Sequence, residues 1–230
     1  MARLLIHVEG PTEEMFVKEV LKGYLTGRGY SDISPRILGK ARLRGRRGGI
    51  VGWPTARKDI LGHLKEDLTC IATTMVDYYG LPQTEDNGWP GRKNTERSVI
   101  ARAQSVEREL LNDVVAEMGK LFNPTRFVPF VLMHEFEGLL FSDCTALSRA
   151  FCRPELESDF QSIRNGFATP EEIDDHAPSS ERISELLPGM YEKPLLGNLA
   201  VLEIGLDRIR SECPHFNDWL KRLESAASGR

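Results

Sequence analysis

A mixed α/β fold built on a mostly parallel sheet is what this chain predicts, and three features of the sequence say so. Short apolar, β-branched segments alternate with helix-period segments up to about residue 142, an order that demands right-handed crossovers and parallel pairing. Several of those apolar segments run directly into acidic residues. From Asp143 onward the segments are mostly helical, punctuated by prolines at 154, 170, 178, 188, 194 and 214 with no further clear strand, so a C-terminal helical extension is expected. At 230 residues the chain is long enough for one sizeable domain, or one domain with an appendage.

The elements follow in order. Leu4-Leu5-Ile6-His7-Val8 reads as a short buried strand, broken by Gly10-Pro11, with Thr12 in position to cap a helix. That helix carries Met15, Phe16, Val20, Leu21 and Leu25 and should end around Gly27 to Gly29. Between Arg36 and Lys58 there are eight basic residues and no acidic one, centred on Arg44-Gly45-Arg46-Arg47-Gly48-Gly49, which reads as a short strand and then a flexible basic loop. A helix over about 54–68 delivers the chain to Thr69-Cys70-Ile71-Ala72-Thr73-Thr74-Met75-Val76-Asp77, whose apolar, β-branched character suits a central strand buried on both faces. An irregular connection leads to a long helix from about Ser98 to Phe122, with Val99, Ile100, Ala103, Val106, Leu110, Val114 and Met118 inward. One more apolar strand, Arg126 to Met133, enters His134-Glu135-Phe136-Glu137, where a helix should start.

Composition narrows the function. No apolar run approaches the roughly 20 residues of a membrane span, and the N-terminus lacks a signal-peptide layout, so a cytoplasmic protein without a membrane partner is expected. The four cysteines show no CxxC pair or zinc spacing and should be reduced, mostly buried thiols. A net charge of −4 argues against indiscriminate nucleic-acid binding by the whole surface, though it permits a local basic patch. Arg42, Arg44, Arg46 and Arg47 form that patch, with glycine neighbours that let guanidinium groups and backbone amides approach phosphates. Trp53 and Trp89 fall in or near loops, where base stacking competes with an ordinary packing role.

Glu9, Asp77, Glu135 and Glu137 stand at predicted strand C-termini, the edge at which open parallel sheets bind ligands. Carboxylates gathered there repel one another unless a hard cation neutralises them, and Mg²⁺ or Mn²⁺ with substrate phosphates would do so. The arrangement suits phosphoryl transfer. Against this, acids at a helix start are favoured by the helix dipole alone. Glu135 and Glu137, two apart, cannot face the same way in a helix. Asp143 is placed to cap the helix beginning at Cys144.

Val8-Glu9-Gly10-Pro11-Thr12-Glu13-Glu14-x-Phe16, the aspartate closing an apolar strand, and Phe136-Glu137-x-Leu139-Leu140 resemble the Toprim fold of topoisomerases, bacterial primases and overcoming-lysogenization-defect nucleases. Val76-Asp77-Tyr78-Tyr79-Gly80-Leu81-Pro82, the block from His134 to Asp143, and Ile204-Gly205-Leu206-x-x-Ile209-Arg210-x-x-Cys213-Pro214 extend the resemblance to a family of uncharacterised bacterial Toprim-like proteins over nearly the whole chain. The resemblance implies a Toprim-like α/β catalytic domain over 1–143 and a helical extension over 144–230. It matches Glu9 to the Toprim acid–base or metal glutamate, Asp77 to the first aspartate of an Asp-x-Asp metal pair, and Glu137 to the later acid. The second aspartate of that pair is replaced by Tyr79, and Glu135, Glu13 or Asp143 is its candidate substitute. His134 is a candidate proton shuttle.

The expectation is therefore a Mg²⁺- or Mn²⁺-dependent Toprim-type nuclease acting on DNA or RNA. Glu9, Asp77 and Glu137 hold metal or move protons, and the arginine loop grips the backbone. The resemblance further implies a mobile-element defence role with a separate ATPase, since the chain lacks a Walker loop. The alternative is a non-catalytic Toprim-like subunit that binds nucleic acid or a partner, with Tyr79 marking a degraded metal site.

Overall fold

The structure, a computed structural model, describes residues 2–39, 50–96, 98–173 and 177–228. The basic cluster Arg42, Arg44, Arg46 and Arg47 lies outside the described residues. The chain divides into two compact units, Met1–Val131 with Trp219–Arg230, and Leu132–Asp218. The expected division after residue 143 falls inside the second of these. Among the described residues no helix is long and apolar enough to cross a membrane.

The first unit is the α/β layer. Strand β1 (Ala2–Val8) is followed by α1 (Pro11–Phe16), a π-helical turn (Val17–Leu21) and α2 (Lys22–Thr26), then β2 (Tyr30–Ile37), α3 (Trp53–Glu66), β3 (Cys70–Asp77) and α4 (Val99–Met118). A broken strand, β4 (Phe127–Val128) and β5 (Val131–Leu132), completes the sheet in the order β2-β1-β3-β4, with β5 also on β3. Strand β1 pairs with β2 and with β3, and β3 with β4, in each case parallel, as alternating strands and helices require. Leu4, Leu5, Ile6 and Val8 of β1 and Cys70 to Val76 of β3 are buried, so the two central strands read as continuous rather than alternating hydrophobic runs.

Two elements differ from expectation for identifiable reasons. Helix α4 stops at Met118 rather than Phe122, because Gly119 takes φ +80°, a left-handed conformation that ends the helix. The strand expected over 126–133 is interrupted at Pro129-Phe130, where Pro129 has no N–H to give. There the Thr74 hydroxyl accepts from Phe130 N–H at 2.9 Å and donates to Phe130 O at 2.8 Å, replacing ladder bonds with a side chain. The Trp219 ring stacks on Phe130 with centroids 4.4 Å apart, and its indole N–H donates to Thr73 Oγ1 at 2.9 Å.

The second unit is helical, as expected of the C-terminal region. It opens with a 3₁₀ segment (Phe136–Ser142), every residue of which is buried, and continues through α5 (Cys144–Ala150), α6 (Glu157–Arg164), α7 (Ser179–Leu186), α8 (Lys193–Ile204) and α9 (Leu206–Glu212). Helix α10 (Pro214–Ser228) starts here, where Glu171 accepts the backbone N–H groups of His215 at 2.9 Å and Phe216 at 2.8 Å. A carboxylate on the first N–H groups of a helix is the favoured placement. The cysteines are free, with Cys70, Cys144 and Cys213 buried and Cys152 exposed. Burial pushes the Cys144 thiol up to about 11.

Candidate functional site

Parallel pairing of β1 with β3 aligns Val8 with Met75, so Glu9 and Asp77 stand one and two residues beyond the last registered pair at the same sheet edge. Glu9 leads into α1, whose entry Gly10 is extended; Glu13 Oε2 accepts the Gly10 N–H at 2.9 Å. Glu13 is thereby employed in shaping the turn. Asp77 closes β3, and the chain then turns through Tyr78-Tyr79-Gly80.

Gly80 brings that turn onto Glu9. A methyl group at Gly80 would stand 3.1 Å from Glu9 Oε2, 3.4 Å from Oε1 and 3.5 Å from Ile50 Cγ2. The Glu9 carboxylate therefore lies against the backbone that follows Asp77, in space that any side chain at 80 would contest. Ile50 resumes the chain after the basic segment, and on the other side of that segment Leu38 N–H donates to Val8 O at 3.0 Å. Gly39 has φ +73° and no room for a side chain against Val51. Both flanks of residues 40–49 thus lie beside Glu9.

Tyr79, expected to replace the second aspartate of a metal pair, is half exposed at 50%. Its neighbour Tyr78 is buried, with the Arg92 guanidinium 3.7 Å above its ring and Arg92 Nε donating to Tyr78 O at 3.0 Å. Trp53 and Trp89 are both buried with rings 5.1 Å apart. Their indole N–H groups donate to Asp113 and to Val51 O, each at 2.9 Å. Packing therefore accounts for both rings.

The later acids belong to the second unit and have partners there. Glu137 is 2% exposed; Tyr191 O–H donates to its Oε1 at 3.2 Å and Lys193 Nζ lies 3.4 Å away. Burial raises its pKa, and the Lys193 ammonium opposes the rise. Glu135 accepts from Ser180 N–H at 3.0 Å and Ser180 O–H at 3.1 Å, and stands 3.7 Å from the same Lys193 Nζ. Helical spacing would turn the two acids apart, yet they meet one cation. The reason is local: Glu135 is extended, at φ −137° and ψ 160°, before the 3₁₀ turn begins, so helical spacing does not apply to the pair. Asp143 Oδ1 accepts Ala146 N–H at 2.9 Å and caps α5. His134 is buried.

Several groups carry no signal in the sequence. Tyr191 and Lys193 are more than 50 residues from Glu137 and sit among ordinary polar positions. His7 and His63 form a pair, His7 Nε2 to His63 Nδ1 at 3.0 Å, with His7 Nδ1 3.1 Å from Thr73 O. Desolvation, then the neighbouring His63, holds His7 down to about 3, so its ring is neutral; it donates through Nδ1–H to Thr73 O and accepts from His63 through Nε2. Among the described residues, no group of three or more His, Cys, Asp or Glu side chains is placed to hold a metal ion. Glu9 and Asp77 stand at the same edge of the sheet.

The family model described as Domain of unknown function (DUF4276) matches residues 8–224. No curated protein and no solved structure matches the chain.

Proposed function

The chain belongs to the DUF4276 family, a domain of unknown function, and we propose that it is a Toprim-like nucleic-acid-binding subunit with a reduced metal site. One observation carries this reading. Glu9 and Asp77 stand at the sheet edge of the first unit, Tyr79 stands where a second aspartate would, and Glu137 is met inside its own unit by Lys193 and Tyr191. The parallel sheet flanked by helices and the order of the motifs support the Toprim likeness. The basic residues Arg42, Arg44, Arg46 and Arg47, outside the described residues, follow Leu38, which bonds Val8 O, and precede Ile50, which lies beside Gly80, and they are the residues suited to phosphate contacts.

A second reading, metal-dependent phosphodiester hydrolysis with a separate ATPase as partner, is favoured by the cradle at Gly80. Two carboxylates suit a single Mg²⁺ or Mn²⁺, which takes one or two acids and completes its shell with water and phosphate oxygens. Glu9 and Asp77 would hold the ion, which would supply Lewis-acid polarisation of the phosphate. This chain's own part would be to orient Glu9 against Gly80.

The test is titration of single-stranded DNA, duplex DNA and RNA onto the protein in EDTA and in Mg²⁺ or Mn²⁺, with cleavage followed in the same samples. The binding reading expects metal-independent, salt-sensitive association that Arg46→Ala/Arg47→Ala abolishes, without cutting. Metal-dependent cutting by wild type that is lost in Asp77→Asn would move the conclusion to the hydrolase. Absence of both binding and cutting overturns the proposal.

A further inference from the structure

The first unit holds a concave site that Glu9 and Asp77 do not line. A cavity of about 790 Å³ lies along the outer side of β4, between α4 and the C-terminal half of α10. That volume falls within the usual range of small-molecule sites. Leu111, Phe127, Val128 and Pro129 give it an apolar floor. Its charged lining is Arg108, Lys221 and Arg222 against one carboxylate, Glu107.

The single acid is already committed. Glu107 is buried, accepts Val131 N–H at 3.1 Å through Oε1 and meets Arg222 at 3.0 Å through Oε2. Arg108, 3.6 Å from the half-exposed Glu109, keeps 63% of its side-chain surface exposed and Arg222 42%, so the cations stand at the rim above the apolar floor, where an exposed pair is weak enough for a bound anion to compete. On a chain of net charge −4, this concavity is locally cationic.

Strand addition does not explain the groove. Phe130 turns its N–H and C=O toward Thr74 on β3, so alternation turns Phe127, Pro129 and Val131 outward. Phe127 N–H donates to Pro124 O, Pro129 has no N–H, and Val131 N–H is held by Glu107. Every outward donor of this edge is closed by the chain itself, the usual protection against pairing with another strand. An occupant must therefore be recognised through side chains.

We propose that this groove binds a small amphiphilic anion, with its apolar body on Phe127, Val128 and Leu111 and its acidic head at Arg108 and Lys221. The apolar floor supplies the hydrophobic contribution and the rim selects the sign of the head group. The site is independent of Glu9 and Asp77, and its ligand is a different molecule from the nucleic acid discussed above.

Calorimetric titration of the full chain with dodecanoate, below its micelle threshold, tests this, with dodecanol and dodecyltrimethylammonium as neutral and cationic probes of equal chain length. Dodecanoate should bind once per chain, at least about tenfold more tightly than dodecanol, with no binding of the ammonium. Arg108→Glu/Lys221→Glu should remove the preference for the anion, Ala226→Trp should fill the groove and abolish binding, and Lys65→Glu, on α3, should change neither. A cationic probe that binds as well as the anion, dodecanoate binding indifferent to these substitutions, or no dodecanoate binding to the wild type overturns the proposal. Circular dichroism of each variant separates loss of the site from loss of the fold.

Discussion

The carboxylate of Glu9 lies against Gly80, close enough that a methyl group there would stand 3.1 Å from Oε2. Gly80→Ala should therefore displace the far end of Glu9 by a few tenths of an ångström and leave the backbone in place. Stability is expected to change by less than about 1 kcal/mol, since the neighbour that must yield is the tip of a flexible side chain. If Mg²⁺ or Mn²⁺ binds at this edge, the rise in melting temperature it causes in wild type should shrink in Gly80→Ala and more in Gly80→Val. Equal rises in all three proteins would separate the ion from Glu9.

His7 makes stability fall on acidification. Its folded-state pKa is held at about 3 against 6.5 when exposed, so below about pH 6.5 the unfolded chain takes a proton that the folded chain refuses. Stability then drops by up to about 1.4 kcal/mol per pH unit as pH falls through this window, with His63, also lowered by burial, adding to the trend. Urea unfolding at intervals between pH 7.5 and 5 should show the slope. His7→Gln lowers the plateau at pH 7.5 but flattens the dependence; an unchanged slope would refute the assignment.

Lys193 compensates the buried Glu137. The folded-state pKa of Glu137 is raised, so its protonated form favours folding and stability declines as pH rises through that pKa. Lys193→Met removes the opposing cation, and the loss should be near zero at about pH 4 and of order 1 kcal/mol at pH 7.5, a modest figure because Lys193 is 46% exposed. Adding Glu137→Gln should shrink the pH-dependent difference to the part that Glu135, 3.7 Å from Lys193, sustains. Chemical denaturation at the two pH values checks both statements.

Arg126 ties three carbonyls to β4. It is buried and donates to Leu64 O at 2.8 Å, Asp67 O at 2.7 Å and Cys70 O at 3.0 Å, joining the end of α3 to the start of β3. Arg126→Met should cost roughly 2–4 kcal/mol, because buried carbonyls lose their donors. A urea midpoint within experimental scatter of wild type would contradict this.

Asp143 distinguishes a cap from a ligand. Asparagine caps a helix as well as aspartate does, so Asp143→Asn should keep wild-type stability, whereas Asp143→Ala should cost about 1 kcal/mol. Neither substitution should alter nucleic-acid binding if the side chain serves only the Ala146 cap and its exposed neighbour Arg208, 3.9 Å away. Thermal unfolding and the binding titration together decide it.

Local pattern along the chain was enough to read the alternation of strands and helices, the parallel sense of the sheet, and Glu9 and Asp77 as strand-terminal acids. A buried strand such as Cys70–Asp77 shows its apolar run, and α4 shows its period. The Glu13 turn and the Asp143 cap are equally local, each joining residues three apart. Folding alone revealed that Lys193 and Tyr191 meet Glu137, that Gly80 receives Glu9, that His63 meets His7, and that Glu107 closes the sheet edge at Val131. Separation along the chain accounts for the difference. Periodicity reports which face of an element is apolar, whereas a polar side chain buried in that face is satisfied by whichever distant group the folded chain delivers, and nothing in its neighbours' spacing names that group.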